Sequence, residues 1–84
     1  MNSKQRKVLA AIFEEPTRAD IAWADIERLL VALGCRVVSG GGSHVRIVHG
    51  SLVASFSQPH PAKEAKRYQV RDARRLLETI GIAP

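Results

Sequence analysis

Apolar side chains recur along this chain first in helical stripes and then in short alternating runs, and the change of period predicts its architecture. Leu9, Ile12 and Phe13 keep helical spacing between about Ser3 and Glu14, and Pro16 ends that pattern by disfavouring helical geometry at Glu15. After a linker from Pro16 to Asp20, Ile26, Leu29, Leu30 and Leu33 stand at i, i+3, i+4 and i+7, with Gly34 where a left-handed C-cap belongs. This predicts a second helix over 22–33, with Ile21 and Trp23 at or just before its start packing back on the core. Beyond Gly34 the period falls to two. Cys35-Arg36-Val37-Val38, Val45-Arg46-Ile47-Val48 and Leu52 to Ser57 read as strands, joined by reversals at Ser39-Gly40-Gly41-Gly42 and His49-Gly50-Ser51. Two prolines around His60 end the sheet pattern, and Val70, Ala73, Leu76, Leu77 and Ile80 predict a last helix closed by Gly81. The expected fold is α+β in the order α-α-β-β-β-α. It is a three-stranded antiparallel meander with the helices on one face, Leu52, Ala54 and Phe56 turned toward them.

At 84 residues, 45% hydrophobic and 25% charged, the sequence suits one small globular domain with a thin core. Its longest apolar run, Val8 to Phe13, is far below the roughly 18 residues a membrane span needs. The basic start, Met1 to Lys7, leads into a short apolar stretch that ends in Glu14-Glu15-Pro16 without a cleavage site, so a cytoplasmic location is expected. The single cysteine, Cys35, builds no disulfide, redox pair or zinc knuckle and reads as a small buried hydrophobe. Net charge is +5, but six Lys/Arg against five Asp/Glu occupy residues 1–42 and seven against three occupy 43–84. The second half is therefore the electropositive half, which reflects either a polyanionic partner or a well-solvated surface.

If Val45 and Ile47 point to the helices, alternation puts His44 and Arg46 together on the uncovered face. Gly40 to Gly42 and Ser43 precede them, a stretch whose backbone can approach a phosphate closely or can simply turn. Histidine exchanges a proton near neutrality, and arginine offers a bidentate phosphate contact. Lys63, Lys66 and Arg67 form a basic segment that reads either as phosphate contacts or as a solvated helix entry. His60 is a second proton-transfer candidate or a structural residue between its prolines. Trp23 reads as core or as a base-stacking residue and Tyr68 as a candidate stacking residue, while Arg71, Arg74 and Arg75 are placed on the solvent side of the last helix with Asp72 and Glu78, where they either meet an acidic antitoxin surface or keep the domain soluble. Glu14, Glu15, Asp20, Asp25 and Glu27 lie on or beside the N-terminal helices, without metal-ligand spacing, so no metal site or cofactor is expected.

Gly42-Ser43-His44 opening a strand behind a helix that ends Leu33-Gly34, followed by Pro59-His60-Pro61-Ala62-Lys63-Glu64 and a final helix, resembles the HicA family of type II toxin–antitoxin systems. The agreement runs from about Asp25 to Ile82. The resemblance implies a fold similar to a double-stranded-RNA-binding domain, an RNA endonuclease (mRNA interferase) that cleaves mRNA, and a HicB-like antitoxin partner. It carries a catalytic role to His44, the histidine on the matching motif. Gly42, Ser43, Arg46, His60, Lys63, Lys66 and Arg67 are the candidate RNA contacts. The family usually begins almost directly with the helix at 22–33, so residues 1–19 are expected to be an N-terminal extension, as in a longer subgroup, joined to a core at 20–84 in a single domain. Tyr68 departs from the glycine that commonly precedes the last helix. The other readings are a non-catalytic RNA-binding module of the same fold and a structural or adaptor domain whose basic face meets only protein, which would show no salt-dependent RNA binding.

Overall fold

A computed structural model describes residues 1–40, 42, 44–57 and 63–84. The first helix, α1 (Ser3–Ile12), is opened by a reciprocal pair of bonds. The Gln5 N–H donates to the Asn2 side-chain oxygen at 2.8 Å, and the Asn2 N–H donates to the Gln5 side-chain oxygen at 3.0 Å, so two otherwise open amides are satisfied. The second helix, α2 (Trp23–Ala32), ends as its sequence requires, with Gly34 at φ 93° and the Cys35 N–H donating back to the Leu30 carbonyl at 3.0 Å. The last helix, α3 (Arg67–Thr79), stops the same way: Gly81 stands at φ 81° and the Ile82 N–H reaches the Leu77 carbonyl at 2.8 Å.

Between α2 and α3 lie β1 (Arg36–Ser39), β2 (His44–His49) and β3 (Leu52–Ser57), an antiparallel meander in the order β1-β2-β3. Its register sets Val38 and Ser55 on either side of Arg46, and Ser57 opposite His44. Val45, Ile47 and Phe56 are buried on one face, flanked by half-buried Val37, Leu52 and Ala54. Arg36, Val38, His44, Arg46, Val53 and Ser55 are exposed on the other. All three helices therefore stand on one side of the sheet, and the fold matches the expected α-α-β-β-β-α order.

α2 packs on β1 and α3 on β3, and α1 lies against α2 and α3. Ile12, Ile26, Leu29, Leu30, Ile47 and Leu77 are fully buried where these layers meet, each contributing roughly 1.5–3 kcal/mol by leaving water. Ile21 and Trp23 are buried as expected; the Trp23 ring sits 5.4 Å from that of Phe56 and its indole N–H donates to Glu27 at 2.8 Å. Trp23 is thus a core residue. A short antiparallel bridge joins the start of α2 to the segment before α3, with the Ala65 N–H donating to the Ile21 carbonyl at 2.8 Å and the Trp23 N–H to the Lys63 carbonyl at 3.0 Å.

The structure corrects one sequence expectation. Arg74 is not on the solvent side of α3: its side chain is only 16% exposed. Its guanidinium donates to the Ile12 and Glu14 carbonyls, each at 2.9 Å, and also to the Glu15 carboxylate. The charge lies 5.9 Å from the Phe13 ring centroid. The carbonyls at and just beyond the end of α1 are acceptors without helical partners, and a planar multi-donor cation satisfies several at once. Arg74 is the fastener that holds the N-terminal helix to the last one.

Candidate nucleic-acid interface

β2 begins at the histidine. His44 is exposed at the first position of the strand, and its carbonyl accepts the Gly40 N–H at 2.8 Å. A methyl group at Gly40 would stand 3.3 Å from that oxygen and 3.6 Å from the His44 Cβ, a tight approach in which the strand start would have to give by a few tenths of an ångström. Gly42 has open space around it, but its φ of 67° is one that L side chains rarely adopt. The two glycines serve one turn for two different reasons. Gly41 and the candidates Ser43 and His60 lie outside the described residues.

Arg46 follows on the same face, between Val38 and Ser55 across the sheet. The link from this face to the basic segment is Gln69, which sequence reasoning missed. It is 1% exposed and the one buried polar side chain among the described residues. Its amide nitrogen donates to the carbonyl of Ser57, the residue paired with His44, while its oxygen accepts the Lys66 N–H at 2.8 Å. The strand end that carries His44 is thereby tied to the first turn of α3, where Lys66 and Arg67 are exposed. A glutamine three residues into a helix is a recognisable half of a capping box, and that was the available signal. Lys63 is placed differently, exposed beside the start of α2 through its carbonyl bond to Trp23. Arg67 also donates to the Thr17 carbonyl at 3.3 Å.

Charge is sorted as well as placed. Glu14 and Asp20 both hold Arg18 at 2.8 Å, Glu15 holds Arg74, and Asp25 meets Arg28 at 3.1 Å and Lys4 at 3.4 Å. The hydrogen bond from Arg18 keeps the Asp20 carboxyl below its ordinary range. Arg36, Arg46, Lys63, Lys66, Arg67, Arg71 and Arg75 form no ion pair with any described residue, and neither do Arg6 and Lys7 of α1. Also among the described residues, no three His, Cys, Asp or Glu side chains gather into a group suited to a metal ion. A hollow of about 200 Å³ between β3 and α3 is lined by apolar Leu52, Ala54, Phe56 and Leu76 together with polar and charged residues, among them Asp72 and Arg75 at the α3 rim, and does not include His44. The histidine therefore sits on an open, cation-bearing surface, which a polymer can cross and a small molecule would find shallow.

A family model described as HicA toxin of bacterial toxin-antitoxin matches residues 23–82. No curated protein and no solved structure matched the chain. The matched span opens at α2, takes in the whole meander and closes just beyond α3, with α1 outside it. Because that span covers well over half of the sequence and coincides with the elements that carry the open face, the chain belongs to the HicA toxin family of bacterial toxin–antitoxin systems.

Proposed function

We propose that this toxin is a cytoplasmic endoribonuclease that cleaves mRNA without a metal ion, with His44 transferring the proton, and that a HicB-like antitoxin silences it. Family membership carries the coarser statement, a toxin role and an antitoxin partner. The observation that supports the finer one is the pairing of an exposed histidine and an exposed, unpaired arginine on the uncovered sheet face, while the carboxylates of the N-terminal half are engaged elsewhere.

The chemistry asks for three acts. A base removes the proton of the substrate's 2′-OH, the oxygen attacks the adjacent phosphorus, and an acid protonates the departing 5′-oxygen. His44 supplies the first or the last. Arg46 stabilises the added negative charge on the phosphorane, and Lys63, Lys66 and Arg67, with the Gly42–Ser43 backbone and His60, hold neighbouring phosphates in this reading. The products are a 2′,3′-cyclic phosphate and a free 5′-hydroxyl. Analysis of product ends in excess chelator tests it: cyclic phosphate ends are expected, and 5′-phosphate ends, or cessation in chelator, would refute the role given to His44.

One observation favours the alternative, a non-catalytic RNA-binding module: the His44 side chain makes no hydrogen bond to any described residue that would orient its ring. The two readings part at His44→Ala. Loss of cleavage with binding retained supports catalysis, and a modest change of affinity alone supports the module.

A further inference from the structure

The outward side of α3 carries a row of cations that the site described above does not use in full. Arg67, Arg71 and Arg75 are spaced four residues apart, so they fall on one ridge of the helix about 12 Å long. All three are exposed, and Arg71 and Arg75 pair with no carboxylate among the described residues, although Asp72 and Glu78 belong to the same helix. Tyr68, 48% exposed, stands beside Arg71 and Arg75 at i+3 and i+7. Arg74, one position from Arg75, shows how an arginine of this helix is held when it builds the fold, bonded to two carbonyls and a carboxylate. Arg71 and Arg75 have no such role.

We propose that this ridge is a second track for RNA, on which Arg67, Arg71 and Arg75 meet successive phosphates and Tyr68 stacks on a base. The proposal rests on the reading of the toxin as an RNA-cleaving enzyme and extends it to the helical side. Three observations point to RNA rather than to an acidic protein. The cations repeat at one helical turn, about 6 Å apart, which suits a regularly repeating anion better than the scattered carboxylates of a protein surface. An aromatic ring among guanidinium groups is the usual equipment of single-stranded RNA binding. The row also begins at the turn of α3 that Gln69 fastens to Ser57, the cross-strand partner of His44, so one strand passing over that end of the sheet meets both surfaces.

The probe is a 16-nucleotide RNA with every 2′-OH methylated, which the proposed reaction leaves uncut, titrated against the full chain at several salt concentrations. In Arg71→Gln/Arg75→Gln the slope of log affinity against log salt is expected to fall by about 1.4, or 0.7 for each lost phosphate contact, with roughly tenfold weaker binding at moderate salt. Tyr68→Ala is expected to weaken binding while leaving the slope unchanged, because stacking releases no counterion. These positions are exposed and glutamine is a good helix former, so the variants keep the fold. An unchanged slope in the double variant, with a reduced slope in Arg46→Gln, would confine RNA to the open sheet face and overturn the proposal alone. No binding of the probe by the unaltered protein would overturn both the track and the ribonuclease reading. Tighter binding of polyglutamate than of RNA at matched charge, lost in the double variant, would make the ridge a protein-docking surface and likewise overturn the proposal.

Discussion

Two arginines one residue apart on α3 show how differently this molecule uses the same side chain. Arg74 faces inward to α1 and spends its donors on backbone carbonyls and Glu15, whereas Arg75 faces outward with no carboxylate partner among the described residues. The contrast extends to whole regions. On the N-terminal side Arg18, Arg28 and Lys4 are matched to nearby acids, and of the cations there only Arg6 and Lys7 of α1 form no ion pair with any described residue. Across the sheet face and the outer ridge of α3, the cations are left for something else to neutralise. Position relative to the core, and not residue type, decides which arginines build the fold and which stay exposed.

The largest expected effect tests that division directly. His44→Ala is expected to reduce cleavage about 10²–10⁴-fold and to change stability by less than about 0.5 kcal/mol, as exposed substitutions do. Arg74→Met should do the reverse, costing about 2–3 kcal/mol through lost charge-assisted bonds while specific activity of the folded fraction stays near that of the unaltered protein. Urea melts beside a cleavage assay with matched protein settle it. A variant that loses both properties equally would break the comparison.

A smaller effect is expected at Gln69, which joins the sheet to α3. Gln69→Leu keeps the volume but strips the Ser57 carbonyl and the Lys66 N–H of their shared partner, at a cost of about 1–2 kcal/mol. Faster hydrogen exchange at the Lys66 amide, with exchange at Leu30 changed only by the global loss, is the signature to measure. Unaltered exchange at Lys66 would show that the amide does not tie strand to helix.

The smallest concerns pH. Burial pushes the Cys35 thiol above its ordinary value. A raised folded pKa means the folded state holds its proton longer, so this contribution is whole below the unfolded value, about 8.5, and fades as pH rises through the folded one. The urea midpoint is therefore expected to fall more steeply in the alkaline range for the unaltered protein than for Cys35→Val, and thiol labelling should be slow until the chain unfolds. Parallel alkaline curves for the two proteins would remove Cys35 from the account.

Sequence patterns locate the elements of this fold well because their signals are local. Helices expected over 3–14 and 22–33 run Ser3–Ile12 and Trp23–Ala32, each shorter at its ends because the last residues carry cap geometry. The open face was legible for the same reason: strand alternation fixes His44 once Val45 and Ile47 are known to be apolar. Gln69 and Arg74 were not legible in the same way. The Lys66 end of the Gln69 bridge is local, but its Ser57 end lies 12 residues away and the Arg74 partners 59 to 62, and no periodicity encodes such distances. Arg74 did stand between Val70 and Leu77 on the flank of the apolar stripe, where a long side chain buries its stem and keeps its charge at the border. The roles of Ser43 and His60 rest on sequence alone.

Arg74 also sets a schedule. During synthesis the front helix emerges first, yet the side chain that seals its end is made about sixty residues later. At roughly 5–20 residues per second, the carbonyls of Ile12 and Glu14 wait on the order of 3–12 s for their donor. Until then α1 lacks both its fastening and the α3 surface it leans on, and the histidine strand lacks the helix to which Gln69 ties it. A growing chain thus holds the His44 strand about thirty residues before it holds Arg74, and a cell translating this message has that interval, on the order of 1.5–6 s, in which the toxin is present only as an unfinished part.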